Sequence, residues 1–429
     1  MSRREDSKIA ATLEESLSEE AINALGKATG QSQRLRSVTP YRLLVTLLGA
    51  LGEGTTETIA DLCREFNYAF GFETAYKAFY NRLARREFVE FMKRVTYRLI
   101  AQLATRVLEP QAGSPLSRFE NIVIQDGSSF ALKASLRKAF PGRFKTVEPA
   151  AVEVHATFSG YGDEVLAVEV TPDTTQERAF LPAPEELAGQ LLLADRGYPS
   201  RPYFTKLEEV GGHFIMRLSR SFKPYVRAVH GPERVTQLSR PAQLPEFLKR
   251  AGRSELDLDV ELRKGKKVYH CRLLVLPGSE KAGTRLCTNL PREDFPVELV
   301  TRLYAFRWQV ELLFKEWKSY ANLRKFDTGN PHIAEGLIWA SLASAILKRW
   351  LAHAAQRARR RAISTRKVAM CARVFLRPLL AALDAPRTLR TRVREVVDYL
   401  EANARRANPK RERKRGRLAA GLDLCGVPK

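Results

Sequence analysis

The chain has 429 residues, of which 44% are hydrophobic, and carries a formal net charge of +24. This length suits two to four folded units, and the sequence shows neither a run of about 18 apolar residues nor an apolar leader after Met1-Ser-Arg-Arg-Glu-Asp6, so no membrane association and a cytosolic location are expected. The five cysteines (Cys63, Cys271, Cys287, Cys371, Cys425) form no CxxC pair and the six histidines no HExxH, which argues against a disulfide framework or a zinc site and leaves carboxylates to hold any metal, as suits a hard ion such as Mg²⁺.

Residues 1–118 read as helical. Leu43, Leu44, Leu47 and Leu48 are spaced as on one helix face, and Pro40 suits a first turn. Thr58–Asn67, a break containing Gly71, and Glu73–Leu83 form two short helical patterns around a turn, the second rich in Tyr, Lys and Arg. The pair resembles a helix-turn-helix that reads DNA, or equally an ordinary helical hairpin.

The texture changes near residue 119. Ile122-Val-Ile-Gln-Asp126 is a β-branched run ending in a carboxylate, and Val152–Phe158 and Glu164–Val170 are two further strand patterns joined by a turn-rich Ser159–Asp163. Leu191-Leu-Leu-Ala-Asp195 is a buried-type strand closed by Arg196-Gly197-Tyr198. Strand patterns recur at Gly212–Leu218, Glu255–Leu262, Lys267–Leu276 and Arg285–Thr288, and from Val297 the chain reads as helical. The expected organisation is a helical N-terminal DNA-binding or assembly region (1–118), a mixed α/β domain (119–345), and a basic helical C-terminal region with a tail (346–429). Residues 345–429 hold 23 Lys and Arg against 6 Asp and Glu, most of the chain's excess. A chain this basic is expected to meet a polyanion, although the run Arg405–Arg417 also reads as a solvated tail.

Asp126 and Asp195 each end an apolar strand and stand before a glycine. That is where sheet enzymes place chemistry, and also where Asp-Gly simply starts a turn. The segment Val300–Tyr320 is more specific. On a helical wheel at about 100° per residue, Tyr304, Arg307, Glu311 and Lys318 fall within about 60° of arc, while Phe306, Val310, Leu313 and Trp317 form the opposite, apolar stripe. Glu316 lies about 120° from Tyr304, so Glu311 is the better metal ligand of the two. Trp308 and Lys315 lie at the margin of the polar face, with Trp308 able to stack on a base or to pack in the core. The other reading of the polar face is a solvated one with an i,i+4 pair between Arg307 and Glu311. Three separated carboxylates in a basic chain without soft ligands fit two-metal phosphoryl chemistry, with the nearby cations holding phosphates.

These residues resemble the IS4 group of DDE transposases. The third-acid motif of that group, Tyr-x2-Arg-x3-Glu-x6-Lys, matches at Tyr304, Arg307, Glu311 and Lys318, and Asp126-Gly-Ser and Asp195-Arg-Gly-Tyr are similar to its first and second acid motifs. The match covers roughly residues 119–330. The resemblance implies an α/β, ribonuclease H-like mixed-sheet core with the first acid on its first strand, the second on a later strand and the third on a helix. It also implies a β-rich insertion between the second and third acids, at about 205–292, and helical regions on either side. It implies metal binding by Asp126, Asp195 and Glu311, with Mg²⁺ or a substituting Mn²⁺, and DNA contact by Tyr304, Arg307 and Lys318, with Trp308, Lys315 and Arg196 as further candidates. The implied reaction is cleavage at terminal inverted repeats and joining of 3′-hydroxyls to target DNA, by a homodimer on double-stranded DNA at the nucleoid. Rival readings are a ribonuclease H-like nuclease that cuts without joining, a catalytically inactive transposase-derived DNA-binding protein, and an interaction protein using its basic C-terminus.

Overall fold

A computed structural model describes residues 2–54, 58–110, 113–231, 233–251, 254–277, 284–321, 323, 326–406 and 425–426. Among the described residues the chain opens with six helices: α1 (Ser2–Ser16), α2 (Glu19–Ala28), α3 (Pro40–Glu53), α4 (Ile59–Phe70), α5 (Tyr76–Leu83) and α6 (Arg86–Gln102). Their ends follow local chemistry. The Thr39 hydroxyl accepts from Arg42 N–H ahead of Pro40 at the first turn of α3, and Thr58 and Asp61 form a reciprocal capping box on α4. The helix-turn-helix pattern is thus a pair of helices, α4 and α5, separated by the left-handed Gly71.

After the short β1 (Glu109–Pro110) come β2 (Ile122–Ala131), β3 (Pro141–Phe144), β4 (Glu148–Ser159), β5 (Glu164–Pro172) and β6 (Leu191–Ala194). Then follow α7 (Arg201–Glu209), β7 (His213–Arg217), β8 (Tyr225–His230), β9 (Val235–Gln243), α8 (Leu244–Ala251), β10 (Leu256–Lys264), β11 (Lys267–Leu276) and β12 (Thr284–Thr288). The chain continues through α9 (Val297–Ala305), α10 (Trp308–Tyr320), α11 (Pro331–Arg359), α12 (Thr365–Ala381) and α13 (Pro386–Asn403), and β13 (Cys425–Gly426) pairs back with β1.

One mixed sheet dominates. β2, β4 and β5 are an antiparallel meander, while β6 pairs parallel with the other edge of β2 and β7 parallel with β6. This is the expected ribonuclease H-like α/β arrangement, with the first acid on the first of these strands and the second at the end of a parallel neighbour. The all-apolar β6 is buried at every position, as a parallel central strand should be. Beyond β7 the sheet runs on antiparallel through β12, β11, β10, β8 and β9.

Two expected boundaries shift. β7 lies inside the 205–292 segment assigned to the insertion, yet it hydrogen-bonds to β6 and extends the core; β8 to β12 then continue this same sheet. The boundary at 345/346 falls within α11, whose 29 residues are buried almost continuously from Ile333 to Ala355. A helix apolar on all sides has to be surrounded, and α11 is packed among α3, α6, α12 and α13. Its Gly336 lets the Phe88 ring of α6 approach to where a Cβ would stand. No helix among the described residues is long and apolar enough to cross a membrane. The basic run Arg405–Arg417 lies outside the described residues from position 407 onward.

Candidate active site

Strand alternation selects the face of the sheet on which the acids stand. Ile122 and Ile124 of β2 and Leu191 and Leu193 of β6 point into the core shared with α9, α10 and α11, while Val123, Leu192 and Ala194 point to the opposite side. With a period of two, Asp126 and Asp195 belong to the helix-covered face. Parallel pairing of Gln125 with Ala194 places the two aspartates side by side at the carboxyl ends of adjacent strands. Behind Asp195 the chain turns sharply, with Tyr198 N–H donating to the Asp195 carbonyl at 3.2 Å and the Tyr198 ring 1% exposed. The Glu177 carboxylate occupies the position of a Cβ at Gly197, so only glycine fits that turn without displacing it.

The third acid comes from α10. The apolar stripe read from the sequence is buried: Phe306, Val310, Leu313 and Trp317 are all at most 1% exposed. The expected single helix Val300–Tyr320 is instead two, α9 and α10, joined at Phe306 and Arg307. Both junction residues keep right-handed helical torsions. The bonds across them are Phe306 N–H to Leu303 C=O, Arg307 N–H to Tyr304 C=O, Gln309 N–H to Phe306 C=O and Val310 N–H to Arg307 C=O, all i to i−3. The tighter turn advances each residue by about 120° instead of 100°. It therefore rotates Tyr304 relative to Glu311, so that the phenol meets Asp195 while the Glu311 carboxylate meets Arg307.

Arg307 is the hub. Its Nη1 donates to Asp126 Oδ2 at 2.6 Å and its Nη2 to Glu311 Oε1 at 2.7 Å. Tyr304 donates its hydroxyl to Asp195 Oδ1 at 3.2 Å. Arg217, at the end of β7, stands with Nη1 3.8 Å from Asp195 Oδ1. Sequence reading missed Arg217; the available signal was its place at the carboxyl end of the next strand pattern after the one ending in Asp195. Glu316, five residues beyond Glu311, is buried and faces Arg349 of α11 at 3.5 Å, away from the aspartates.

The remaining candidates are less tightly drawn in. Lys318 Nζ lies 5.4 Å from the ring centroid of Phe130, on the same strand and face as Asp126. Lys315 sits 4.3 Å above the Trp308 ring, and Trp308 is half-buried with its indole N–H enclosed and unpaired among the described residues. That ring face is therefore taken by an ammonium. Arg196 is exposed beside Asp195.

Burial, together with the charges of Asp195 and Glu311, raises the Asp126 carboxyl to about 6, even though Arg307 and the Gly127 N–H pull it down. Burial alone would lower the Arg307 guanidinium, but Tyr304 and the three acids outweigh it and hold the charge firmly. Burial, with Asp195 alongside, raises the Tyr304 phenol, which stays a donor. Among the described residues no group of three Asp, Glu, His or Cys side chains stands ready to hold a metal ion, since a guanidinium lies between Asp126 and Glu311. The residues nonetheless fit a hard divalent cation. The donors are all carboxylate oxygens, and burial, the main cause of the raised Asp126 pKa, disfavours an ionised carboxylate in a way that a bound cation would offset.

Residues 117–372 match the family model described as Transposase DDE domain. The chain is 22% identical over 352 residues to the transposase for insertion sequence element IS1151 of Clostridium perfringens, a match covering 72% of each chain. It is 22% identical over 327 residues to the transposase for insertion sequence element IS231E of Bacillus thuringiensis subsp. finitimus, covering 67% of each. Among solved structures, a piggyBac transposase synaptic complex with hairpin DNA aligns with a TM-score of 0.46 and 13% identity, covering 90% of this chain and 83% of that one.

Proposed function

The chain belongs to the transposase DDE domain family, and from that premise we propose that it cleaves the ends of a transposable element and joins the freed 3′-hydroxyls to target DNA, with Asp126, Asp195 and Glu311 as its metal-binding acids. The observation that carries this reading is the convergence of acids from β2, β6 and α10 on one guanidinium and one phenol, those of Arg307 and Tyr304. Mg²⁺ or Mn²⁺ bound by these carboxylates supplies Lewis-acid stabilisation of the oxygens that attack and leave phosphorus. In cleavage, a water oxygen forms a bond to phosphorus as the bond to the 3′-oxygen breaks, leaving a 3′-hydroxyl. In joining, that hydroxyl attacks a target phosphodiester and displaces another 3′-oxygen.

No protein side chain is a nucleophile in this scheme. Arg307 sets the spacing of Asp126 and Glu311, and Tyr304 orients Asp195. Lys318, Lys315 and Arg196 contribute positive charge to the DNA backbone, alongside a net charge of +24. A homodimer gripping two ends of double-stranded DNA in the cytoplasm, at the nucleoid, completes the proposal, with the helices before residue 118 and the region after 345 adding DNA-binding or assembly surface.

The test is a divalent-ion-dependent cleavage assay on the element's own terminal repeats. The wild-type chain should cut and Asp126→Ala should not; equal cutting by both would reject the site. Pre-cut ends then separate the transposase from a nuclease, since only the former joins them to a target duplex.

A further inference from the structure

α10 presents Glu311 in its first turn, and its two ends are held differently. At the start, the i to i−3 bonds between Leu303 and Val310 interrupt the regular helical ladder, so α9 does not carry α10 as one rod. At the end, Lys348 of α11 donates from Nζ to the Tyr320 carbonyl at 2.9 Å and to the Gly52 carbonyl at 3.1 Å. Tyr320 is the last residue of α10 and Gly52 lies in the last turn of α3. One ammonium therefore serves the C-terminal carbonyls of two helices, groups that lack intrahelical partners and carry the negative end of the helix dipole. Lys348 is only 2% exposed, a place lysine rarely occupies unless its charge is paired. Its neighbour Arg349 holds Glu316 of α10 and the Asp163 carbonyl, the latter at 2.6 Å.

We propose that Lys348 is a positioning residue for Glu311, setting the place of α10 from its far end and locking that helix to α3 of the N-terminal helical region. The proposal rests on the reading of Glu311 as a metal-binding acid. The contact cannot be replaced by packing alone: a methionine keeps the apolar stem but leaves the buried Gly52 carbonyl and the half-buried Tyr320 carbonyl without this donor, which favours a shift of α10 toward other donors. A displacement of about 1 Å at a catalytic group costs on the order of a hundredfold in rate, so a small slide suffices.

The experiment uses the full chain with Lys348→Met, Lys348→Gln and Ser344→Ala. Ser344→Ala removes only the bond from Ser344 Oγ to the Leu48 carbonyl, 3.0 Å, between α11 and α3. Thermal melting, Mn²⁺ binding followed by electron paramagnetic resonance, and cleavage of a terminal-repeat duplex across Mn²⁺ concentrations are measured on each. Ser344→Ala should lower the melting temperature alone. Lys348→Met should also weaken Mn²⁺ binding about tenfold and reduce cleavage at saturating Mn²⁺ by about tenfold or more, with Lys348→Gln, which keeps an N–H donor, between it and the wild type. If Lys348→Met does not fold, Lys348→Gln against Ser344→Ala carries the comparison. Lys348 variants that melt lower yet bind Mn²⁺ and cleave as the wild type does would overturn the positioning role. Glu311→Gln with undiminished Mn²⁺ affinity would instead overturn the reading of Glu311 itself.

Discussion

Glu311 and Glu316 show how five residues of separation on one helix divide two identical side chains between different partners. Glu311 shares Arg307 with Asp126, whereas Glu316 is buried against Arg349 of α11. Glu311→Gln keeps the shape and one acceptor oxygen but removes the charge, so cleavage should fall by about a hundredfold or more, the scale of losing an electrostatic contact to the reacting centre, while binding of the terminal repeat persists. Glu316→Gln should retain most activity, because its amide still accepts from Arg349. Parallel kinetic assays of the two variants decide the point, and equal losses would contradict the division.

At the scale of the element, the joint between α9 and α10 decides what each polar side chain meets. The local tightening lets Tyr304 reach Asp195 while Arg307 bridges Asp126 and Glu311. α11 is the opposite kind of element, long, regular and enclosed along most of its length. Its start is fixed by Asn330, whose Oδ1 accepts from His332 N–H at 2.9 Å and Ile333 N–H at 3.2 Å, with Pro331 in the first turn. Asn330→Ala should therefore cost about 1 kcal/mol, the usual value of such a cap. Denaturant melts would measure it, and metal-dependent cleavage below the melting range should be little changed, since the cap lies at the far end of α11 from Lys348.

At the scale of the whole molecule, the sheet and the surrounding helices are tied together by a largely buried charge cluster. Asp163, in the turn between β4 and β5, meets Arg349 and His353 of α11. Burial would raise its carboxyl, but the Arg349 guanidinium and the hydrogen bond with His353 outweigh burial and hold it well below the usual carboxylate range. Because its folded value lies below its unfolded value near pH 4, the unfolded chain takes up the proton first. The stability it provides is complete above about pH 4 and is lost as pH falls through the folded value. Asp163→Asn should cost about 3 kcal/mol at pH 7, the scale of leaving a buried partner unpaired, and should flatten the loss of stability below pH 4. Asn tolerates the left-handed backbone found here, φ 51°, so the comparison isolates charge. Unfolding curves at several pH values check it, and an unchanged acid limb would show that other carboxylates set the acid sensitivity.

The sequence by itself determined the strand runs that end in Asp126 and Asp195, the apolar stripe of α9 and α10, and the phase that separates Glu311 from Glu316. Each of these is local, because alternation and helical periodicity are written in consecutive residues. The family resemblance was legible for the same reason, through the spacing of Tyr304, Arg307, Glu311 and Lys318. Tertiary structure alone decided the rest. Arg217 joins Asp195 only because β7 pairs with β6, and β8 to β12 extend the core sheet because β12 pairs with β7; a strand pattern records which residues are buried and is silent about its neighbour. The break at Phe306 and Arg307 leaves both residues in helical torsions, so no proline or glycine announces it. Lys348 reads in the sequence as one more positive charge of a basic C-terminal region. Only packing reveals it as a buried bridge between α3 and α10, since pairing between groups nearly 300 residues apart leaves no trace in local periodicity.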